Sequence, residues 1–335
     1  ASGFIIGIPV FFEVGILILL PLVISIQQAT KKNLLLIGLP AIAGLSIVHG
    51  LVLPHPGAVA AIGIYDANLG KVLLYSLFIA IPAGIIGGPL FIGTRVNPSS
   101  ESGLLKVDIS QEQKRLPSVG ISFLCILMPI ILMVVGTFAP FIQLPKSDVN
   151  FLEFIGSPLV ALLISCFFAF YFLGFRQGIE RSQIKKFVDE CIVPVGSIIL
   201  IIGAGGGFKQ VLIDSGVGET IGNMAENLSL SPLVLAFLIA GLIRIATGSA
   251  TVALTTAAGI VSPIIANRTG VNVELLVIVT GAGSLMFSHV NDAGFWMVKE
   301  YLGLSIKETF QTWTALETIL SFIAFFGAFV LNIFV

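Results

Sequence analysis

Residues 231 to 266 run for 36 positions with a single charge, Arg244. As one continuous helix at ~1.5 Å per residue the run would be roughly 54 Å long, against ~30 Å for the hydrocarbon core of a bilayer. It is too apolar for a water-facing surface and too long for one crossing, so it must break, tilt or double back. Thr247-Gly248-Ser249-Ala250-Thr251, just after Arg244, is the expected break, because glycine and hydroxyl residues tolerate unwound backbone. A second run, 272 to 303, is interrupted by Ser288-His289-Val290-Asn291-Asp292-Ala293-Gly294. Lipid is the solvent these segments imply.

The rest of the chain is of the same kind. Hydrophobic residues make up 56% of the 335 and charged residues 10%, whereas a soluble domain carries about a quarter charged. An all-α polytopic membrane protein is therefore expected, with spans near 2 to 26, 33 to 53, 70 to 92, 118 to 140, 152 to 175, 191 to 208 and 309 to 335. A net charge of −1 leaves no basic face for nucleic acid, so none is expected as a partner. Cys125, Cys166 and Cys191 lie in or beside apolar stretches and read as small hydrophobes, not as metal ligands. The chain opens Ala-Ser-Gly with no Met and runs straight into an apolar segment, which reads as an incomplete N-terminus.

Charge places the loops. Arg95, Lys106, Lys114 and Arg115 mark the 93–117 loop as cytoplasmic, and Arg176, Arg181, Lys185 and Lys186 mark the one after 175 likewise, with Lys146 on the outer side. Lys31 and Lys32 also fall inside if His55 to Asn68 makes no complete crossing. The chain then divides into a first transmembrane half (1–92), the cytoplasmic loop (93–117), connecting transmembrane helices with a basic cytoplasmic loop (118–190), and a second transmembrane half with a hairpin and broken helices (191–335).

Ionisable groups inside apolar spans are costly and usually mark a pathway or site. Glu13, in GIPVFFEVG (7–15), is one, either a proton carrier or a carboxylate held by a neighbouring helix. His49 and His55, in HGLVLPHPG (49–57), are separated by Pro54, which rules out the i, i+4 presentation of zinc motifs; a turn dipping into the membrane is expected, with His49 the more interior. GAGGGFKQVLIDSGVG (203–218) carries Gly205, Gly206, Gly207 and Lys209, able to hold an anionic oxygen or simply to let helices pack closely. Arg244 needs a partner, either Asp292 or a substrate carboxylate that matches its planar fork. Ser249 and Thr251 offer hydroxyls at the break. His289, Asn291 and Asp292 form the last cluster, with Asp292 competing with Glu13 as the protonatable group. No Gly-x-Ser-x-Gly or His-Glu-x-x-His spacing suggests an enzyme.

Taken in order, GIPVFFEVG, HGLVLPHPG, the 203–218 stretch, RIATGSATVA (244–253), SHVNDAGFW (288–296) and TWTALET (312–318) resemble the gluconate permease family of bacterial carboxylate transporters across nearly the whole chain. The resemblance implies a multi-pass protein of the bacterial inner membrane, built from inverted repeats with re-entrant hairpins and broken helices, and often dimeric. Part of the first repeat would precede residue 1. It implies proton-coupled symport of gluconate or a related small hydroxylated carboxylate, with the proton gradient as driving force and no cofactor. D-serine or another small acid is the alternative substrate; a channel or an inactive truncated permease are the alternative functions. The substrate site expected on this basis comprises Gly205, Gly206, Gly207, Lys209, Arg244, Ser249, Thr251, His289, Asn291 and Asp292, with Glu13 and Asp292 as proton carriers.

Overall fold

The computed structural model describes residues 1–8, 10–95, 117–141, 145–190, 230–266 and 270–335, with isolated positions at 200, 203, 207, 210, 211, 214, 215 and 268. Secondary structure among the described residues is helical throughout. Six helices among them are long and apolar enough to cross a membrane, and side chains such as Phe78, Leu242 and Phe326 stand exposed on their outer faces. Water would not tolerate such a surface, whereas lipid does. The protein is an all-α polytopic membrane protein.

Two compact units are present, one from residues 1–107 with 201–335, the other from 108–200. In the smaller unit Ser118 caps the helix Val119–Phe138. The stretch expected as one span over 152–175 is instead divided, with Lys146–Gly156 ending at Ser157 and Pro158–Ala169 beginning there. Pro158 supplies the reason: it fits the first turn of a helix but disfavours helical backbone in the residue before it.

The larger unit is organised by helix breaks. The expected 2–26 span is in fact Ser2–Gly7 and Phe12–Thr30, with Phe11 extended at the start of the second piece. Asn33 accepts the Leu35 amide at 2.8 Å and starts Leu34–Leu51. Pro56–Tyr65 follows; its ten residues at ~1.5 Å each are too short for a complete crossing by themselves. Leu69–Ile85 continues through a π turn at Ile86–Leu90 into Phe91–Arg95.

Both long apolar runs in the second half break at the expected places. Pro232–Thr247 ends at Gly248, whose φ of 73° is left-handed, and Ser249 caps Ala250–Ile265. Val273–Leu285 ends before the 286–292 segment, after which Asp292 caps Ala293–Tyr301. Residues 274 to 285 are all buried, because Pro232–Thr247, Ala250–Ile265, Leu69–Ile85 and the final helix, Ala315–Leu331, all pack around them. This short central helix leads into the 286–292 segment, which buries Ser288 and Asp292 beside the Gly248 break and leaves Phe287, Val290 and Asn291 exposed.

Candidate functional site

Arg244 lies one turn before the Gly248 break and is 5% exposed. Its Nη1 donates to the carbonyl of Gly248, and its Nη2 is 2.5 Å from Asp292 Oδ2. Asp292 is itself a helix cap: Oδ1 accepts the Gly294 amide at 2.8 Å, so the carboxylate sits at the positive end of Ala293–Tyr301. Oδ2 also accepts the Ser288 hydroxyl. Trp313 Nε1 donates to Ser288 Oγ at 2.7 Å, and the Thr314 hydroxyl to the Ser288 carbonyl at 2.5 Å. One buried network thus joins both broken helices to the start of the final helix.

A second tie runs beside it. His289 Nε2 and Asn291 Nδ2 both reach the Ile245 carbonyl, at 3.0 and 2.9 Å. The backbone of Asn291 passes so close to Gly248 that a side chain there would collide with its carbonyl. Glycine is needed twice over, for its backbone conformation and for this approach.

An aromatic wall closes the other side. Phe12 stacks on Trp313 with centroids 5.3 Å apart and meets His49 edge-on at 6.0 Å. His49 and His55 rings lie 3.9 Å apart. His55 Nδ1 accepts the Gly57 amide at 3.3 Å and so caps Pro56–Tyr65, which leaves the ring proton on Nε2. Between the two histidines, Thr251 and Ser284 the remaining space is too tight for a water molecule.

Several polar atoms here are buried without a hydrogen-bond partner among the described residues: Arg244 Nε, His49 Nδ1, His55 Nε2, Glu317 Oε1 and Ser321 Oγ. Such atoms are rare in native structures. Gathered in one region of a membrane protein, they make this region the candidate site.

The structure therefore brings Arg244, His289, Asn291 and Asp292 together, with Ser249 capping the adjoining helix and Thr251 beside the histidines. Of the partners left open for Arg244, it takes Asp292 and keeps Nε in reserve. Glu13 stands apart, exposed on the first turn of Phe12–Thr30. Gly207 is helical and exposed, while Gly205, Gly206 and Lys209 lie outside the described residues, as does all of the expected 191–208 span except positions 200, 203 and 207. His49 and His55, read from sequence as a turn, form part of the wall. Glu317, 1% exposed, was missed along with Ser288 and Trp313. The signal for Glu317 was present, since it is the only charge in Ala315–Leu331, and the rule applied to Glu13 covers it equally. An apolar groove of about 560 Å³ near Phe4, Leu19 and Ile81 offers a carboxylate no counter-charge and is not the site. Among the described residues no cluster of three metal-ligating side chains occurs.

Short apolar helices broken at Gly248 and at 286–292, with a buried charge network at their ends, are the kind of discontinuous element that secondary transporters use. Residues 1–334 match the model of the GntP family permeases, and the chain belongs to that family. It is 48% identical over 326 residues to a gluconate permease of Pseudomonas aeruginosa, covering 96% of this chain and 72% of that one. It is 43% identical over 335 residues to the Gnt-II system L-idonate transporter of Escherichia coli and 42% identical over 335 to a high-affinity gluconate transporter of the same organism, each alignment covering 99% of this chain and 76% of the relative. The protein is a multi-pass transporter, not an enzyme, and in bacteria such a permease resides in the inner membrane.

Proposed function

We propose that the chain carries out proton-coupled uptake of gluconate or a closely related hydroxylated carboxylate. The observation that carries this reading is Arg244: a buried guanidinium at a helix break that holds Asp292 yet keeps Nε unpartnered. A planar fork suits a carboxylate, and a substrate carboxylate would take the free Nε while Asp292 keeps its hold on Arg244. Ser249, Thr251, His289 and Asn291 would meet the hydroxyls, alongside the unpartnered Nε2–H of His55. The relatives' names, gluconate and L-idonate transporters, support the same substrate class. The two halves are read as inverted repeats working around the broken helices, in a protein that forms a homodimer in lipid.

Uptake of labelled gluconate into proteoliposomes tests this directly. Saturable accumulation driven by an inward proton gradient is expected. Uptake indifferent to that gradient would reject coupling, and no uptake at all would reject the substrate class.

A further inference from the structure

We propose that Glu317 is the residue that takes up the coupling proton, and that its protonation lets a substrate carboxylate share Arg244 with Asp292. This rests on the proton-coupled reading above and assigns it a group which that reading lacked.

Geometry sets Glu317 apart from the other carboxylates. Asp292 is fully engaged: Oδ2 holds Arg244 and Ser288, and Oδ1 caps a helix. A proton there would compete with the guanidinium and loosen the junction of the two broken helices. Glu13 is exposed and outside the network. Glu317 is buried with Oε1 unpartnered, while the buried Ser46 hydroxyl is within hydrogen-bonding reach of its carboxyl and Arg244 and Asp292 are near enough to act on it electrostatically. It can gain or lose a proton without dismantling a cap or an ion pair.

Charge counting supplies the coupling. Arg244 is paired with Asp292 and within electrostatic reach of Glu317, and a substrate brings a third carboxylate into a medium where like charges repel strongly. A proton on Glu317 removes one of the three, so substrate and proton favour each other's binding, and linkage makes that preference reciprocal. The step is a proton transfer in which a hydronium ion on the aqueous entry side gives up one O–H bond as a carboxylate oxygen of Glu317 forms another, leaving water. The helices packed against Ala315–Leu331 bring few other titratable groups: His49 on Leu34–Leu51, Lys71 and Tyr75 on Leu69–Ile85, and Glu274 on Val273–Leu285. Lys71 and Glu274 are within 4.0 Å of one another and already paired. His49, with Nδ1 unpartnered, is the one imidazole among them.

The test compares wild type, Glu317→Gln and Glu317→Asp, each as the full chain in proteoliposomes, by two assays. Gluconate exchange needs no gradient; accumulation needs a pH gradient. Glu317→Gln is expected to keep exchange within about threefold of wild type, to lose the pH dependence of its half-saturation, and to accumulate gluconate at least tenfold less. Glu317→Asp is expected to restore gradient-driven accumulation. A Glu317→Gln protein that accumulates within twofold of wild type would overturn the assignment. So would loss of both activities in Glu317→Gln with full recovery, at unchanged pH dependence, in Glu317→Asp, since that pattern belongs to a structural residue. A wild type that fails to exchange gluconate would sink the substrate reading instead, a result distinguishable from either.

Discussion

Arg244 illustrates how much a single buried charge depends on its surroundings. Removing one partner of a buried ion pair leaves the other uncompensated, at a cost of roughly 3–5 kcal/mol. Arg244→Gln should therefore destabilise the protein strongly, whereas Arg244→Gln combined with Asp292→Asn should recover part of the loss. Thermal unfolding in detergent would check both, and a double variant no more stable than the single one would contradict the pairing. Gly248 makes a separate case. Its φ of 73° and the adjacent Asn291 carbonyl both exclude a side chain, so Gly248→Ala is expected to lose about 1–3 kcal/mol from strain alone. The same unfolding measurement reads it, and a neutral result would mean that the break relaxes freely.

At the scale of elements, the breaks were largely legible and the contacts between them were not. Thr247 to Thr251 and Ser288 to Gly294 stood out because glycine, hydroxyl and charged residues interrupt runs whose length already demanded interruption. The breaks between Gly7 and Phe12 and at Ser157 were as plain in the residues, with proline at 9 and at 158, but each run there was short enough to pass as one span. Length arithmetic had nothing to object to. Glu317 escaped because its segment was read only as a span and as the motif TWTALET; tertiary packing reveals that this turn lies in the interior. The pairing of Arg244 with Asp292, 48 residues apart, was one of two open options. Close approach of helices was likewise invisible in the residues. Val273–Leu285 meets Pro232–Thr247 at Gly283, where a methyl group would press on the Ala240 side chain at 2.8 Å and on the Phe237 carbonyl. Gly283→Ala is expected to cost ~1–3 kcal/mol by forcing the two helices apart. Because those helices carry the site, gluconate exchange should fall along with stability; a variant that loses stability but exchanges normally would separate the packing from the function.

For the whole molecule, the space beside the two histidines and Thr251 is too tight for water, so a ligand binding there and rearrangement of the network are one event. A ligand that binds only the folded protein stabilises it according to mass action, by ~2.7 kcal/mol at a hundred times its dissociation constant. Gluconate, L-idonate and D-serine should thus raise the unfolding temperature in the order of their affinities, and the ranking identifies the substrate without a transport assay. Arg244 is the control that ties the effect to the site. In Arg244→Lys a point charge replaces the planar fork, so positive charge is kept while two-point recognition of a carboxylate is lost, and affinity should fall about tenfold or more, ~1.4 kcal/mol. At the same ligand concentration the stabilisation should shrink by that amount, while the unliganded variant, which keeps a charge for Asp292 but loses the arm on the Gly248 carbonyl, unfolds below wild type and above Arg244→Gln. Equal stabilisation of both proteins by gluconate would place the carboxylate elsewhere in the fold.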